Sequence, residues 1–278
     1  MDLGRRAILM GATAMALTRD TGVEPGTPRA IFVSHGAPSL ALDVERGRDL
    51  ARWGRALPRP AALVVVSAHW ERTPLALGAR APRPLLHDYG GFAPELREVT
   101  YEAPVASGLA DELAAGLAEF EVARDDARPW DHGVWVPLVH LFPARDVPLV
   151  QLSLPSDSPP QRLAQLGARL GALVEGRALV VASGGFVHNL RRLDWSEREP
   201  PPAWATDFEA WGRGALERGD LDELVDYRAR APGLSHAHPT HEHWLPLLVA
   251  AGAAPKARAF PVEGFEYGSL SRLSLELG

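Results

Sequence analysis

Residues 62–70 read Ala-Leu-Val-Val-Val-Ser-Ala-His-Trp, an apolar run followed by Ser67 and, two residues later, by His69. A continuous apolar run of this length predicts a strand that is covered on both faces. Similar runs occur at residues 30–33, 148–152 and 178–182, and stretches with helical periodicity separate them. Alternation of this kind predicts an α/β fold, with one domain built on a central, largely parallel or mixed sheet flanked by helices.

The helical stretches are recognised by the spacing of their large apolar residues. Leu163, Leu166, Leu170 and Leu173 form the clearest stripe, and this spacing is typical of the core face of an amphipathic helix. The tail from 269 to 277 instead alternates apolar and polar residues and predicts a late strand.

The composition excludes several kinds of chemistry. The chain has 278 residues, a formal net charge of −6 and no cysteine, so thiolate nucleophiles, Cys-based zinc sites and iron–sulfur clusters are excluded. Lys256 is the one lysine and lacks a phosphate-binding loop around it. The negative charge argues against a nucleic-acid partner, and no apolar run is long enough to predict a membrane span. Serine, tyrosine, carboxylates and ten histidines remain for catalysis.

The first 28 residues are interpreted as a leader or a disordered tail. Arg5 and Arg6 precede a short apolar stretch, as in a twin-arginine export signal. The expected location is therefore periplasmic if the signal is used and cytoplasmic if it is not. Residues 29–278 are expected to form the catalytic domain.

Three histidines follow predicted strands directly. His35 comes after the run at 30–33, His69 after the run at 62–66, and His188 a few residues after the run at 178–182. Ligands of open α/β sheets bind outside the carboxyl ends of strands. Each histidine alone would more often be a packed or solvent-facing side chain, but together they predict a metal site on rigid supports. Ser183 is excluded as an esterase nucleophile because Val181 occupies a position where that motif needs glycine.

Residues 236–243 contain four histidines and a glutamate. They cannot all bind one ion, so one of His241, Glu242 and His243 is expected to reach the metal, with the others at the rim of the site. Thr240 is expected to cap a helix that runs to about Ala251.

His132 stands between Asp131 and Gly133 in an expected loop. A neighbouring carboxylate can hold a histidine in one tautomer and make it more basic, so Asp131 and His132 together predict an acid/base role for His132. His87 is interpreted either as a residue at the pocket entrance or as an ordinary loop residue, and His140 is interpreted as structural.

Seven motifs in order resemble one family: S-H-G, V-V-V-S-A-H-W, H-D-Y-G-G-F, D-H-G-V-W-V-P-L, S-G-G-F-V-H-N-L, H-E-H-W-L-P-L-L and E-G-F-E-Y-G-S-L-S. This series is similar to the DODA-type branch of the class III (LigB-like) extradiol ring-cleavage dioxygenases. The resemblance implies metal ligands at His35, His69 and His243. It implies either a further ligand or an acid/base group at His188, and acid/base help from His132.

The same resemblance implies one mononuclear metal, either Fe(II) in the active enzyme or Zn(II) as found. The implied reaction is extradiol cleavage of a DOPA-like or other small catechol with O2, as part of aromatic compound metabolism. The particular catechol, the ring bond that opens and the oligomeric state stay open.

Two other functions remain compatible with these residues. A zinc-dependent hydrolase could use the same histidines to activate a metal-bound water. A Memo-like protein would keep the pocket as a non-catalytic binding site.

Overall fold

The computed structural model describes residues 27–278. The leader expectation, including Arg5 and Arg6, lies outside the described residues. Within residues 27–278, no helix is long and apolar enough to span a bilayer.

The longest of the ten strands in the described residues, β2 (Leu63–Glu71), lies at the centre of the main sheet. The strands are β1 (Ala30–Ser34), β2 (Leu63–Glu71), β3 (Ala76–Leu77), β4 (Ala123–Arg124), β5 (Leu149–Leu154), β6 (Leu179–Gly184), β7 (Ala257–Val262), β8 (Phe265–Glu266), β9 (Leu270–Ser271) and β10 (Ser274–Leu277).

The α-helices connect these strands and cover both faces of the sheet. They are α1 (Arg48–Ala56), α2 (Ser107–Gly116), α3 (His132–Leu141), α4 (Pro160–Val174), α5 (Ala203–Arg218), α6 (Leu221–Val225), α7 (Tyr227–Arg230), α8 (Leu234–Ala237) and α9 (Leu245–Ala253).

Eight strands form one mixed sheet in the order β4-β3-β5-β2-β6-β1-β10-β7, and β8 and β9 form a separate hairpin. The four central strands β5, β2, β6 and β1 are parallel, whereas β10 and β7 add to the β1 edge in antiparallel pairs. The expected single α/β domain with a largely parallel or mixed sheet is confirmed.

Both faces of the central strands are buried, which explains their continuous apolar runs. In β2, Val64 and Val66 face a core that contains α4 and α9, while Leu63 and Val65 face a second core that contains α1 and α3. The large apolar side chains of both cores are almost inaccessible to solvent. Burial on this scale stabilises the sheet by roughly 25 cal/mol for each Å² of apolar surface removed from water.

The register of the parallel strands sets the position of the site. Ser34 of β1 pairs with Gly184 of β6, and Ser67 of β2 pairs with Ser183 of β6. The carboxyl ends of these strands therefore lie level with one another. The histidines that follow Ser34 and Ser67 meet at the same edge because the ladder aligns these positions.

The close approach of α4 and α9 fixes the position of α9 and therefore of the histidine cluster at 236–243, which precedes it. A β-carbon on Gly167 would lie 1.9 Å from the Val249 carbonyl oxygen, and one on Gly252 would lie 2.0 Å from the Ala164 carbonyl oxygen. Only glycine leaves room for this backbone contact. The packing of α9 in turn anchors His243, which lies two residues before the helix begins.

Three local expectations are wrong. The second strand continues to Glu71, so His69 lies within β2, beyond an irregularity in its pairing with β5, and not after the strand. His132 is the first residue of α3 and not a loop residue. The last α-helix begins at Leu245, with Pro246 in its first turn, so Thr240 does not cap it. Proline fits the first turn of a helix because the amide groups there have no intrahelical partner.

Candidate metal centre and active site

Three imidazoles converge at the carboxyl edge of the sheet. His35, His69 and His243 each offer a ring nitrogen, and these nitrogens all lie within 4.8 Å of one another. The Nε2 atoms of His35 and His69 are 3.1 Å apart. Two nitrogen ligands that each lie about 2.0–2.1 Å from one tetrahedral cation are separated by a similar distance. The spacing of these two atoms therefore fits two ligands of a single ion.

The tautomer of His35 follows from its neighbour Ser183. The Ser183 hydroxyl donates to the Gly133 carbonyl, so its oxygen accepts the hydrogen bond from His35 Nδ1 at 3.0 Å. His35 therefore carries its proton on Nδ1, and its Nε2 lone pair is directed at the other imidazoles. Ser183, rejected as a nucleophile, thus acts as the group that orients a ligand.

His243 is held in the same way by its sequence neighbour. Its Nδ1 donates to Glu242 Oε1 at 2.9 Å, and the Thr240 hydroxyl donates to the same oxygen at 3.0 Å. The His243 Nε2 atom is buried and has no hydrogen-bond partner in the described structure. Since a buried polar atom normally has a partner, this lone pair is suited to a metal ion.

Burial keeps all three imidazoles neutral at neutral pH. It lowers the pKa of His35 and of His243 well below 6.5, and the other histidines lower both further. Burial and the neighbouring His132 lower the pKa of His69 to about 4. Because a metal ion binds the neutral form of histidine, these values favour coordination near pH 7.

His132 lies against the metal-binding group, with its ring centroid 3.8 Å from that of His69. Its Nδ1 donates to Asp88 Oδ1 at 2.7 Å, and its backbone amide donates to the same oxygen at 3.2 Å. Burial alone would raise the pKa of Asp88, but the hydrogen bond and charge of His132 lower it below its usual value. The partner of His132 is therefore Asp88, and the expectation that Asp131 holds this ring is wrong.

His188 lies flat on His243, with ring centroids 3.5 Å apart and an angle of 7° between the planes. It forms a possible metal-binding group with Glu242 and His243, but it is not in the set that contains His35 and His69. Burial and the neighbouring His238 lower the pKa of His188 to about 3. The ring is therefore neutral and borders the site, and its role as a further ligand or as an acid/base group stays a prediction.

The remaining histidines face elsewhere. His238 bonds the Phe186 carbonyl, His241 bonds the Tyr227 hydroxyl and His140 bonds the Leu40 carbonyl. His236 lies beside Trp204, and the His87 ring packs against Tyr89 and Trp135. Of the cluster at 236–243, it is thus His243 that reaches the imidazole group, with Glu242 as its hydrogen-bond acceptor.

A cavity of about 460 Å³ opens beside the imidazoles. His69, His188 and His243 line its inner part. The other lining residues are Ala68, Glu71, Asn189, Leu190, Arg191, Pro239, Thr240 and Glu242. A cavity of this volume accepts a small molecule with direct access to the histidines.

Comparison with known proteins explains this arrangement. Residues 31–277 match the family described as the catalytic LigB subunit of aromatic ring-opening dioxygenase. The chain belongs to this family. It is 40% identical over 256 residues to the 4,5-DOPA dioxygenase extradiol of Escherichia coli K12, covering 90% of this chain and 94% of that protein. It is 34% identical over 245 residues to the Beta vulgaris protein of the same name, covering 84% of this chain and 89% of that protein.

A solved structure agrees with the LigB assignment. The crystal structure of an uncharacterized protein from Escherichia coli K12 superposes with a TM-score of 0.76 at 36% sequence identity, covering 90% of this chain and 99% of that one. The expected family, its DODA-type branch and the enzyme class of extradiol dioxygenases are confirmed.

Sequence reasoning missed two residues that orient site histidines in this LigB-family chain. Asp88 lies next to His87 in the motif H-D-Y-G-G-F, and it bonds a histidine 44 positions away. Ser183 is 148 positions from His35. The presence of an Asp or a Ser without an assigned role inside a family motif could have indicated these orienting residues. The sequence does not show which imidazole each of them bonds.

Proposed function

We propose that this protein is a metal-dependent dioxygenase that opens the ring of a small, DOPA-like catechol by extradiol cleavage with O2. The observation that carries the proposal is the group of three neutral imidazoles whose ring nitrogens converge beside a cavity. Membership of the LigB family and the names of its relatives support the reaction class and an aromatic substrate.

The donor set fits one divalent metal, with His35, His69 and His243 as its protein ligands. We propose Fe(II) as the active metal and the converging ring nitrogens of these three residues as its site. When bound, Fe(II) would supply Lewis acidity toward the two catechol oxygens and a redox route between the ring and O2.

His132 is suited to take up a proton from the catechol. Its Nδ1–H is committed to Asp88, which leaves Nε2 as the basic nitrogen, and the negative carboxylate stabilises the imidazolium that would form. His188 lines the cavity and is stacked on the face of His243. We assign proton transfer during ring opening to these two residues.

The cavity also suits the proposed substrate. Its volume of about 460 Å³ exceeds that of a bare catechol ring and leaves room for a polar side chain. Arg191 and Glu71 line it as groups of opposite charge. A catechol that carries both a carboxylate and an ammonium group, as DOPA does, complements such a lining.

The test is oxygen uptake by protein reconstituted anaerobically with Fe(II) and challenged with catechol, L-DOPA and protocatechuate. We expect uptake accompanied by a yellow ring-opened product, and loss of turnover in His188→Ala with the fold retained. Absence of uptake with every catechol, in protein shown to hold iron, would refute the proposal.

One observation favours a second candidate. An all-histidine ligand set also suits zinc, which activates water without redox chemistry. A zinc-dependent hydrolase would consume no O2, so the same oxygen-uptake assay separates the two functions. A non-catalytic, Memo-like binding role would be supported by inactivity in both the iron-loaded and the zinc-loaded protein.

For the cellular location, we propose that the protein is exported through its twin-arginine signal. Fractionation of cells that produce the full chain, compared with an Arg5→Lys, Arg6→Lys variant, measures this directly. Periplasmic protein that depends on the arginine pair would support export, and cytoplasmic protein in both cases would refute it.

A further inference from the structure

Asp131 has no role in the chemistry assigned above, yet its carboxylate is among the most completely buried charges in the described structure, with 0% exposure. Three side chains donate to it. Ser67 Oγ lies 2.6 Å from Oδ1, while Arg128 Nη2 and Gln151 Nε2 lie 2.9 and 2.5 Å from Oδ2. A buried carboxylate is retained only when its charge and its lone pairs are compensated in this way.

Two of these donors also hold the peptide of His69. The His69 amide donates to Ser67 Oγ at 3.2 Å, and Arg128 Nη2 donates to the His69 carbonyl at 2.9 Å. The Arg128 guanidinium lies 5.2 Å above the Trp70 ring. The carboxylate of Asp131 therefore fixes the backbone of β2 on both sides of His69.

The backbone of Asp131 holds His132. The Asp131 carbonyl accepts hydrogen bonds from the amides of Val134 and Trp135, at 2.9 and 3.2 Å, and so begins α3 with His132 as its first residue. The same aspartate thus joins the strand that presents one imidazole to the helix that presents the next.

The strand β2 and the helix α3 are closely packed at Gly133. A β-carbon on Gly133 would lie 2.4 Å from Ser67 Oγ and 3.0 Å from His69 Cδ2. Any larger residue would push α3 away from β2. The distance between the two elements is consequently set by the Asp131 hydrogen bonds on one side and by this steric contact on the other.

We propose that Asp131 is a positioning residue, which holds the His69 and His132 rings at their working separation through Ser67 and Arg128. Because it fixes His69, it also sets the metal affinity of the histidine group. The proposal extends the proposed function, in which His69 is a metal ligand and His132 transfers a proton.

The test compares Asp131→Asn with Asp125→Asn. The first variant removes the charge that Arg128 faces and reverses the hydrogen bond with Ser67, while the side-chain shape is kept. The second removes the charge of Asp125, which lies in the same loop, pairs with Arg72 at 2.8 Å and, among residues 27–278, bonds no imidazole. Thermal unfolding of both variants reports their stability.

Two measurements report position independently of catalysis. The first is the set of nuclear Overhauser effects between the His69 and His132 ring protons in metal-free, histidine-labelled protein. The second is the affinity of the site for Co²⁺, titrated without catechol. We expect Asp131→Asn to lose the ring contacts and to bind Co²⁺ about 10- to 100-fold more weakly, and Asp125→Asn to match the wild type.

A folded Asp131→Asn that keeps the ring contacts and the wild-type Co²⁺ affinity would overturn the proposal, even if its melting temperature falls. If this variant does not fold, Ser67→Ala decides the matter by the same two measurements, because it keeps the Arg128 ion pair and removes the link to β2 that runs through Ser67. If the wild type itself binds no Co²⁺, the proposed function fails, and the ring contacts still decide whether Asp131 positions the two histidines.

Discussion

Replacing Glu242 by Gln tests how a carboxylate beside the site contributes to metal binding. Both hydrogen bonds to this side chain, from His243 Nδ1 at 2.9 Å and from Thr240 Oγ1 at 3.0 Å, end on the same oxygen. The amide oxygen of Gln can accept both of them. The variant therefore removes the negative charge while the His243 ring stays in place.

The magnitude follows from the strength of that hydrogen bond. A charge-assisted hydrogen bond is about twice as strong as a neutral one, so its conversion weakens the interaction by about 1–1.5 kcal/mol. A charged acceptor on Nδ1 also makes Nε2 a better electron donor to a cation. We expect Zn²⁺ to bind about 10-fold more weakly to Glu242→Gln, which corresponds to about 1.4 kcal/mol.

The assay is titration of metal-free protein with Zn²⁺ against a competing chelator, at one pH and one ionic strength. Glu71→Gln is the matched control, since Glu71 lines the same cavity and bonds no imidazole in the described structure. Because Glu71 is exposed, solvent screens its charge, and we expect the control to change the affinity by less than about threefold. Equal losses in the two variants would refute the reasoning, because the effect would then depend on the net charge of the cavity alone.

Three further predictions concern stability and specificity. Burial lowers the pKa of His238 from 6.5 to about 4, so the unfolded chain takes up this proton first as the pH falls. Stability should decrease between pH 6.5 and 4 by up to about 1.4 kcal/mol per pH unit, and urea unfolding of His238→Gln should lack this part of the slope. Gly167→Ala should destabilise the protein by at least about 2 kcal/mol in denaturant unfolding, because the new methyl group meets the Val249 carbonyl. Gly108→Ala in α2 is the control: a β-carbon there would have no atom within 4 Å outside the backbone of its own helix, so the change should be neutral or stabilising by up to about 1 kcal/mol. Arg191→Ala should raise KM about 10-fold for carboxylate-bearing catechols but not for catechol itself, because Arg191 lines the cavity. Equal KM changes for both substrates, or the same effect in Arg192→Ala, would contradict a role of Arg191 in binding the carboxylate.

The central strands and the edge at which their histidines meet were predictable from local patterns. Continuous apolar runs are read directly from the chain, and a histidine just beyond such a run is carried to the carboxyl edge of a parallel sheet. Family motifs in a fixed order added the reaction class. The bounds were less predictable: β2 includes His69, and α9 begins five residues after Thr240.

The hydrogen-bond partners of the imidazoles were not predictable in this way. Asp131 is next to His132 in sequence, yet the carboxylate that bonds this ring belongs to Asp88. The reason is geometric, because a residue beginning a helix directs its side chain differently from its predecessor, and Asp131 faces Ser67, Arg128 and Gln151.

By itself, the sequence determined the α/β class, the strand-end histidines and the family of this protein, since these depend on short-range patterns and ordered motifs. The tertiary structure decided which of the clustered groups at 236–243 joins His35 and His69, and which carboxylate or hydroxyl orients each ring. Tautomer and basicity depend on contacts such as that between His35 and Ser183, 148 residues apart, which exist only when β1 and β6 pair in register.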